Sequence, residues 1–66
     1  MTIIVNGNSK VFQDGVTLLE ILKELALVDK VMAAAVNMEI VKQDEWDKKV
    51  LQDNDKLELL DFVGGG

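Results

Sequence analysis

Cysteine and histidine are absent from the 66-residue sequence. Their absence excludes a disulfide framework, a thiolate nucleophile and any Cys/His metal site. It also removes the commonest general base. Chemistry involving this chain must therefore use a carboxylate, an amine, a hydroxyl or a chain terminus. A small domain without disulfides fits a reducing cytoplasm. No apolar run approaches the ~20 residues that span a bilayer. Met1-Thr2-Ile3-Ile4-Val5 lacks the basic start of a signal peptide. The seven Lys are scattered rather than gathered into the basic patch that nucleic acid demands. The expectation is a cytoplasmic protein that binds neither membrane nor nucleic acid.

What is present is short and acidic. A single domain of this size buries only ~60% of the surface its unfolded chain exposes, which leaves one thin core. A deep enclosed pocket needs more protein around it, which argues against a free-standing enzyme. The net charge is −5 and the pI about 4.4. Such acidity keeps a small monomer soluble and steers it toward basic partner surfaces.

Pattern and turn chemistry predict the elements in order. Thr2-Ile3-Ile4-Val5 is β-branched and apolar, as a strand requires. Asn6-Gly7 is a strong hairpin signal because both residues tolerate positive φ, and Lys10-Val11-Phe12 returns as the second strand. Thr17 stands three residues before Glu20, the spacing of a capping box. Leu18, Ile21, Leu22 and Leu25 then form the stripe of an amphipathic helix over 18–26, with Glu20, Lys23 and Glu24 toward solvent. Val31-Met32-Ala33-Ala34-Ala35-Val36 reads as a strand whose small residues let the helix pack close. Ile40-Val41 is a short returning strand. Residues 42–49 form a polar loop with a helical turn, where Trp46 reads as a lid on the core or, alternatively, as an anchor for a partner. Gln52-Asp53-Asn54-Asp55 is a turn. The last strand covers 56–63 and runs straight into Gly64.

A hairpin, a crossing helix and further strands on one sheet make an α+β layer structure. The domain is expected at 1–63, with a flexible tail at 64–66. Gly-Gly ends suit passage through a narrow channel, because glycine has no Cβ and reaches backbone conformations closed to other residues. With no residue after Gly66, the glycines are not a phosphate loop feeding a helix. The Asp53 and Asp55 pair, and Asp44 with Glu45, are candidate acid/base carboxylates only in form. Both pairs sit in polar turns, where Asp caps or simply solvates. Too few ligands are present for an EF-hand loop.

Over essentially its whole length the sequence resembles the thiamine-biosynthesis sulfur carrier proteins of the ubiquitin-like β-grasp superfamily. The resemblance rests on Ile3-Ile4-Val5-Asn6-Gly7, Thr17-Leu18-Leu19-Glu20-Ile21-Leu22, Val36-Asn37 before Ile40-Val41, Trp46, and Gln52-Asp53-Asn54-Asp55. The closing Phe62-Val63-Gly64-Gly65-Gly66 is its most specific piece. The resemblance implies a mixed sheet of four to five strands, with first and last strands as a parallel central pair and one main helix on one face. It implies a carrier acting as co-substrate, with no cofactor or metal of its own. An E1-like adenylating enzyme would activate the Gly66 carboxylate with ATP. Sulfur drawn from cysteine by a desulfurase would convert it to a thiocarboxylate, and thiazole synthase would receive that sulfur. Gly64 and Gly65 would enter the partner active sites. Related alternatives are the small subunit of molybdopterin synthase, usually longer and with prolines before its Gly-Gly, and a ubiquitin-like modifier of lysines. A non-covalent β-grasp module with an idle tail is a third.

Alternation of side chains along strands adds one further expectation. If Ile3, Val5, Leu57 and Leu59 face the helix, then Ile4, Leu60 and Phe62 face outward. Placed side by side they would form an apolar docking patch near the tail. A bulge near Leu59-Leu60 is the alternative, since it would turn one of them back into the core.

Overall fold

The computed structural model describes residues 1–61. β1 (Thr2–Val5) alternates as a half-buried strand should, with Ile3 and Val5 in the core. The chain reverses in two residues, Asn6 and Gly7, both at positive φ (48° and 87°). This two-residue turn makes Val5 pair with Asn8, so β2 (Asn8–Val11) starts earlier than the apolar residues suggest. Phe12 lies just beyond β2 and is buried. There it exchanges backbone hydrogen bonds with Met1: its N–H donates to the Met1 carbonyl at 2.9 Å, and the Met1 ammonium donates to its carbonyl at 2.8 Å.

Helix α1 (Leu18–Glu24) opens on the expected capping box. The Glu20 N–H donates to Thr17 Oγ1 at 3.2 Å, and the Thr17 N–H donates to Glu20 Oε1 at 2.9 Å. The remaining donors of the first turn are met from afar. Leu18 N–H reaches the Lys49 carbonyl at 2.8 Å and Leu19 N–H reaches the Trp46 carbonyl at 2.9 Å. A helix start leaves its first N–H groups without intrahelical partners; here the 46–49 segment supplies the missing acceptors. Leu18, Ile21 and Leu22 are fully buried, and Leu25 is half-buried.

The helix stops two residues short of the expected end. Ala26 adopts φ 58°. Its N–H bonds the Lys23 carbonyl at 3.1 Å, while Leu27 N–H bonds the Leu22 carbonyl at 2.8 Å. This crossed pair is a Schellman motif, the usual partner of a left-handed residue after the helix. Glycine normally fills that position; an alanine there gives the sequence no stop signal.

β3 (Val31–Val36), β4 (Glu39–Val41) and β5 (Lys56–Asp61) complete a five-stranded sheet in the order β2-β1-β5-β3-β4. β1 and β5 are parallel and every other pairing is antiparallel. The helix covers one face, where Leu57, Val36 and Ala34 meet Ile3, Leu18, Ile21, Leu22, Leu51 and Trp46 in one core cluster. Trp46 is buried there as a lid, and its Nε1–H donates to the Val41 carbonyl at 2.9 Å. The loop before it contains the expected helical turn, a 3₁₀ segment at Gln43–Glu45.

Candidate functional site

β5 is the described element that precedes residues 62–66 in the chain. Phe62, Gly64, Gly65 and Gly66 lie outside the described residues, as do the last two residues expected in the strand. β5 itself alternates as predicted. Leu57 is buried and Leu59 half-buried against the core, while Glu58 and Leu60 point to the open face.

β5 is anchored at its start by the two aspartates that a catalytic reading would recruit. Asp53 Oδ1 accepts the Thr2 N–H at 2.7 Å. Asp55 accepts from the Gln52 N–H at 2.8 Å through Oδ2 and from the Asn37 side-chain amide at 2.9 Å through Oδ1. Asn37 in turn accepts the Lys56 N–H at 3.0 Å. These carboxylates lock the entry to β5 onto β1 and onto the β3–β4 hairpin. Charge-assisted bonds of this kind to backbone donors are a structural use of Asp. Asp44 and Glu45 are exposed on the 3₁₀ turn. Among the described residues no three acidic side chains gather to hold a metal ion.

The outer face of the sheet differs in detail from the expected patch. Ile4 and Leu60 share this face, but they do not abut. Ile4 pairs with Lys56, and Leu60 lies four residues further along β5, roughly 13 Å at ~3.3 Å per residue. Glu58 stands between them. Two shallow depressions meet at that residue. One is lined by Ile4, Gly7, Met38, Lys56 and Glu58. The other is lined by Ala33, Ala35, Ile40, Glu58 and Leu60 among others. Large apolar side chains stand open around them: Met38 is 86% exposed, Ile40 73% and Leu60 60%. Sequence reasoning missed Met38 and Ile40. The signal for Ile40 is its pairing with Ala35, which itself pairs with Glu58.

A bulge is present, but on the facing strand. Val31 pairs with Asp61 and Ala33 with Leu60, which leaves Met32 as the extra residue of β3. The irregularity therefore does not turn Leu60 inward.

Among the described residues, the sheet order, the parallel central pair and the one α-helix define the ubiquitin-like β-grasp class. Comparison with known proteins narrows this. The ThiS family pattern matches residues 3–66, and the chain belongs to that family: it is a sulfur carrier of the ThiS type. It is 30% identical to the sulfur carrier protein ThiS of Escherichia coli over 66 residues, the whole of both chains. It is 33% identical over the same length to a thiazole synthase of Paramagnetospirillum magneticum, of which it spans 20%. The crystal structure of a thiamine biosynthesis protein (ThiS) from Geobacter metallireducens superposes with a TM-score of 0.82 at 27% identity, all of each chain being covered. A solution structure of a thiamine biosynthesis protein from the same organism gives 0.74 at 28% identity, covering all of this chain and 88% of the other.

Proposed function

We propose that this chain carries sulfur as a thiocarboxylate on Gly66 and delivers it to a thiazole synthase in thiamine biosynthesis. An oxygen of the Gly66 carboxylate attacks the α-phosphorus of ATP on an E1-like adenylating enzyme, and pyrophosphate leaves. A sulfur nucleophile drawn from cysteine through a desulfurase then attacks the acyl carbon, and AMP leaves; sulfide gives the thiocarboxylate directly, whereas a persulfide donor gives an acyl disulfide whose S–S bond a thiol reductant cleaves to release it. A carboxylate is a poor electrophile; the adenylate supplies the leaving group. The thiocarboxylate that results is a nucleophile suited to building a sulfur heterocycle. All catalytic groups belong to the partner enzymes, which matches a chain without cysteine or histidine.

In this reading residues 1–63 are the rigid handle and 64–66 the flexible reach. Gly64 and Gly65 pass through the channel, and Ile4, Leu60 and Phe62 contribute docking contacts. The free carrier is a cytoplasmic monomer. The observation that carries the proposal is the family match, which runs through residue 66. The thiazole synthase relative supports the choice of acceptor, because a segment of it is similar to this whole chain.

The test is chemical blockade of Gly66. Adding one residue after it, or converting its carboxylate to an amide, removes the attacking oxygen from its place. Both variants should melt like wild type and form no adenylate. Undiminished ATP-dependent adenylation of the extended chain contradicts the proposal.

A further inference from the structure

Asn6 is the one asparagine of the chain that glycine follows; Asn8, Asn37 and Asn54 precede Ser9, Met38 and Asp55. An asparagine side chain closes on the next backbone nitrogen most readily before glycine, because no Cβ obstructs the approach. Asn6 and Gly7 are both exposed, and nothing lies within 4 Å of the place where a Gly7 Cβ would sit. One restraint opposes closure. The Asn6 side-chain oxygen accepts the Leu59 N–H at 2.8 Å, and the Asn6 N–H donates to the Leu57 carbonyl at 2.9 Å. Both bonds hold Asn6 against β5. The first must break before the side chain swings onto the Gly7 nitrogen.

We propose that Asn6 is a modification site, converted by spontaneous deamidation at a rate set by its release from β5. The Gly7 backbone nitrogen attacks Asn6 Cγ. The new C–N bond closes a cyclic imide, the Cγ–Nδ2 bond breaks, and ammonia leaves with the Gly7 amide proton. Water then opens the ring. Addition at Cγ gives aspartate. Addition at the Asn6 main-chain carbonyl gives isoaspartate, with the chain now running through Cγ. Water is the only co-reactant.

The products differ in consequence. The aspartate carboxylate keeps an oxygen that accepts the Leu59 N–H. Isoaspartate adds a methylene to the main chain of a turn whose length sets the Val5–Asn8 pairing. Its Cγ carbonyl becomes a peptide carbonyl and leaves the place from which it held Leu59. On its β1 side, β5 then loses the bond that holds it beyond the Val5–Leu57 pair. Under the functional reading above, the isoaspartyl carrier should be a slower adenylation substrate; the site itself does not depend on that reading.

The full-length protein is incubated at mildly alkaline pH with and without denaturant, and amide loss at each asparagine is followed by peptide mass. Asp14-Gly15 can close the same ring, but aspartate has no amide to lose, so this readout reports on asparagine alone. Amide loss at Asn6 should outpace that at Asn8, Asn37 and Asn54. Denaturant should quicken it by about tenfold or more. That factor should be no smaller than the protection of the Leu59 amide against exchange, since one opening releases both groups. The isoaspartyl fraction, separated by chromatography, should exchange the Leu59 amide faster than fresh protein, whereas Asn6→Asp should protect it as wild type does. Should Asn6→Asp fail to fold, the separated fraction decides alone. An Asn6 amide still intact in the folded protein after another asparagine has converted overturns the site. A factor smaller than the Leu59 protection overturns the gating by β5. Unchanged Leu59 exchange in the isoaspartyl fraction overturns the structural consequence.

Discussion

The side-chain oxygen of Asn6 accepts the Leu59 backbone N–H at 2.8 Å, across 53 positions of sequence. β1 stops pairing with β5 at Val5–Leu57, because the chain turns away at Asn6. The Asn6 side chain then stands in for the strand that has left, and holds β5 for two residues more. Asn6 has two tasks here: it tolerates the left-handed turn, and it steadies the strand that leads to the C-terminal segment.

Asn6→Ala should therefore cost about 2 kcal/mol, from a lost hydrogen bond and a left-handed alanine. Asn6→Gly, which keeps the turn and loses only the bond, should cost about half as much. Denaturant titration measures both. Amide exchange at Leu59 should quicken in each variant. Unchanged protection of Leu59 would show that the side-chain bond does not hold β5.

Ala26→Gly should stabilise the protein. A non-glycine residue in the left-handed region costs roughly 1–2 kcal/mol, offset in part by the greater unfolded-state freedom of glycine. A gain of about 0.5–1 kcal/mol is expected, read as a higher melting temperature. A lower one would mean that the Schellman geometry is not what ends α1.

Leu22→Ala should cost ~2–5 kcal/mol, the range for a buried leucine truncated to alanine. Leu22 is fully buried, and its carbonyl also accepts the Schellman bond from Leu27. In a domain whose total stability is on the order of 5–15 kcal/mol, such a loss brings the chain close to unfolding. An unchanged melting temperature would contradict its place in the core.

Gly65→Val should fold normally and fail at adenylation, because a branched side chain near the reacting carboxylate would clash with a channel shaped for glycine. Gly64→Val, one residue further away, should lose less. Equal adenylation of Gly65→Val and wild type would remove the steric argument for the tail.

The elements written in local chemistry were legible in the sequence. Asn6-Gly7 marked the first hairpin, Thr17 and Glu20 the helix start, and alternation in 2–5 and 56–60 the inner and outer faces. What stayed hidden depends on residues doing an unusual job or on long-range pairing. Ala26 ends a helix without being glycine, and Met38 fills a hairpin turn without being glycine. The bulge at Met32 and the distance between Ile4 and Leu60 follow from strand register, which periodicity does not fix across nonadjacent segments. The parallel β1–β5 pair was expected from family resemblance alone. The place of Glu58 between Ile4 and Leu60 follows from the same register.

The most direct test of the sulfur-carrier account is the intact mass of the chain after incubation with ATP, a sulfide source and an E1-like adenylating enzyme. The account predicts a gain equal to one oxygen replaced by sulfur, located on Gly66 by fragmentation and dependent on ATP. An unchanged mass after the enzyme has demonstrably consumed ATP on this chain, or a sulfur atom located anywhere else, would contradict it.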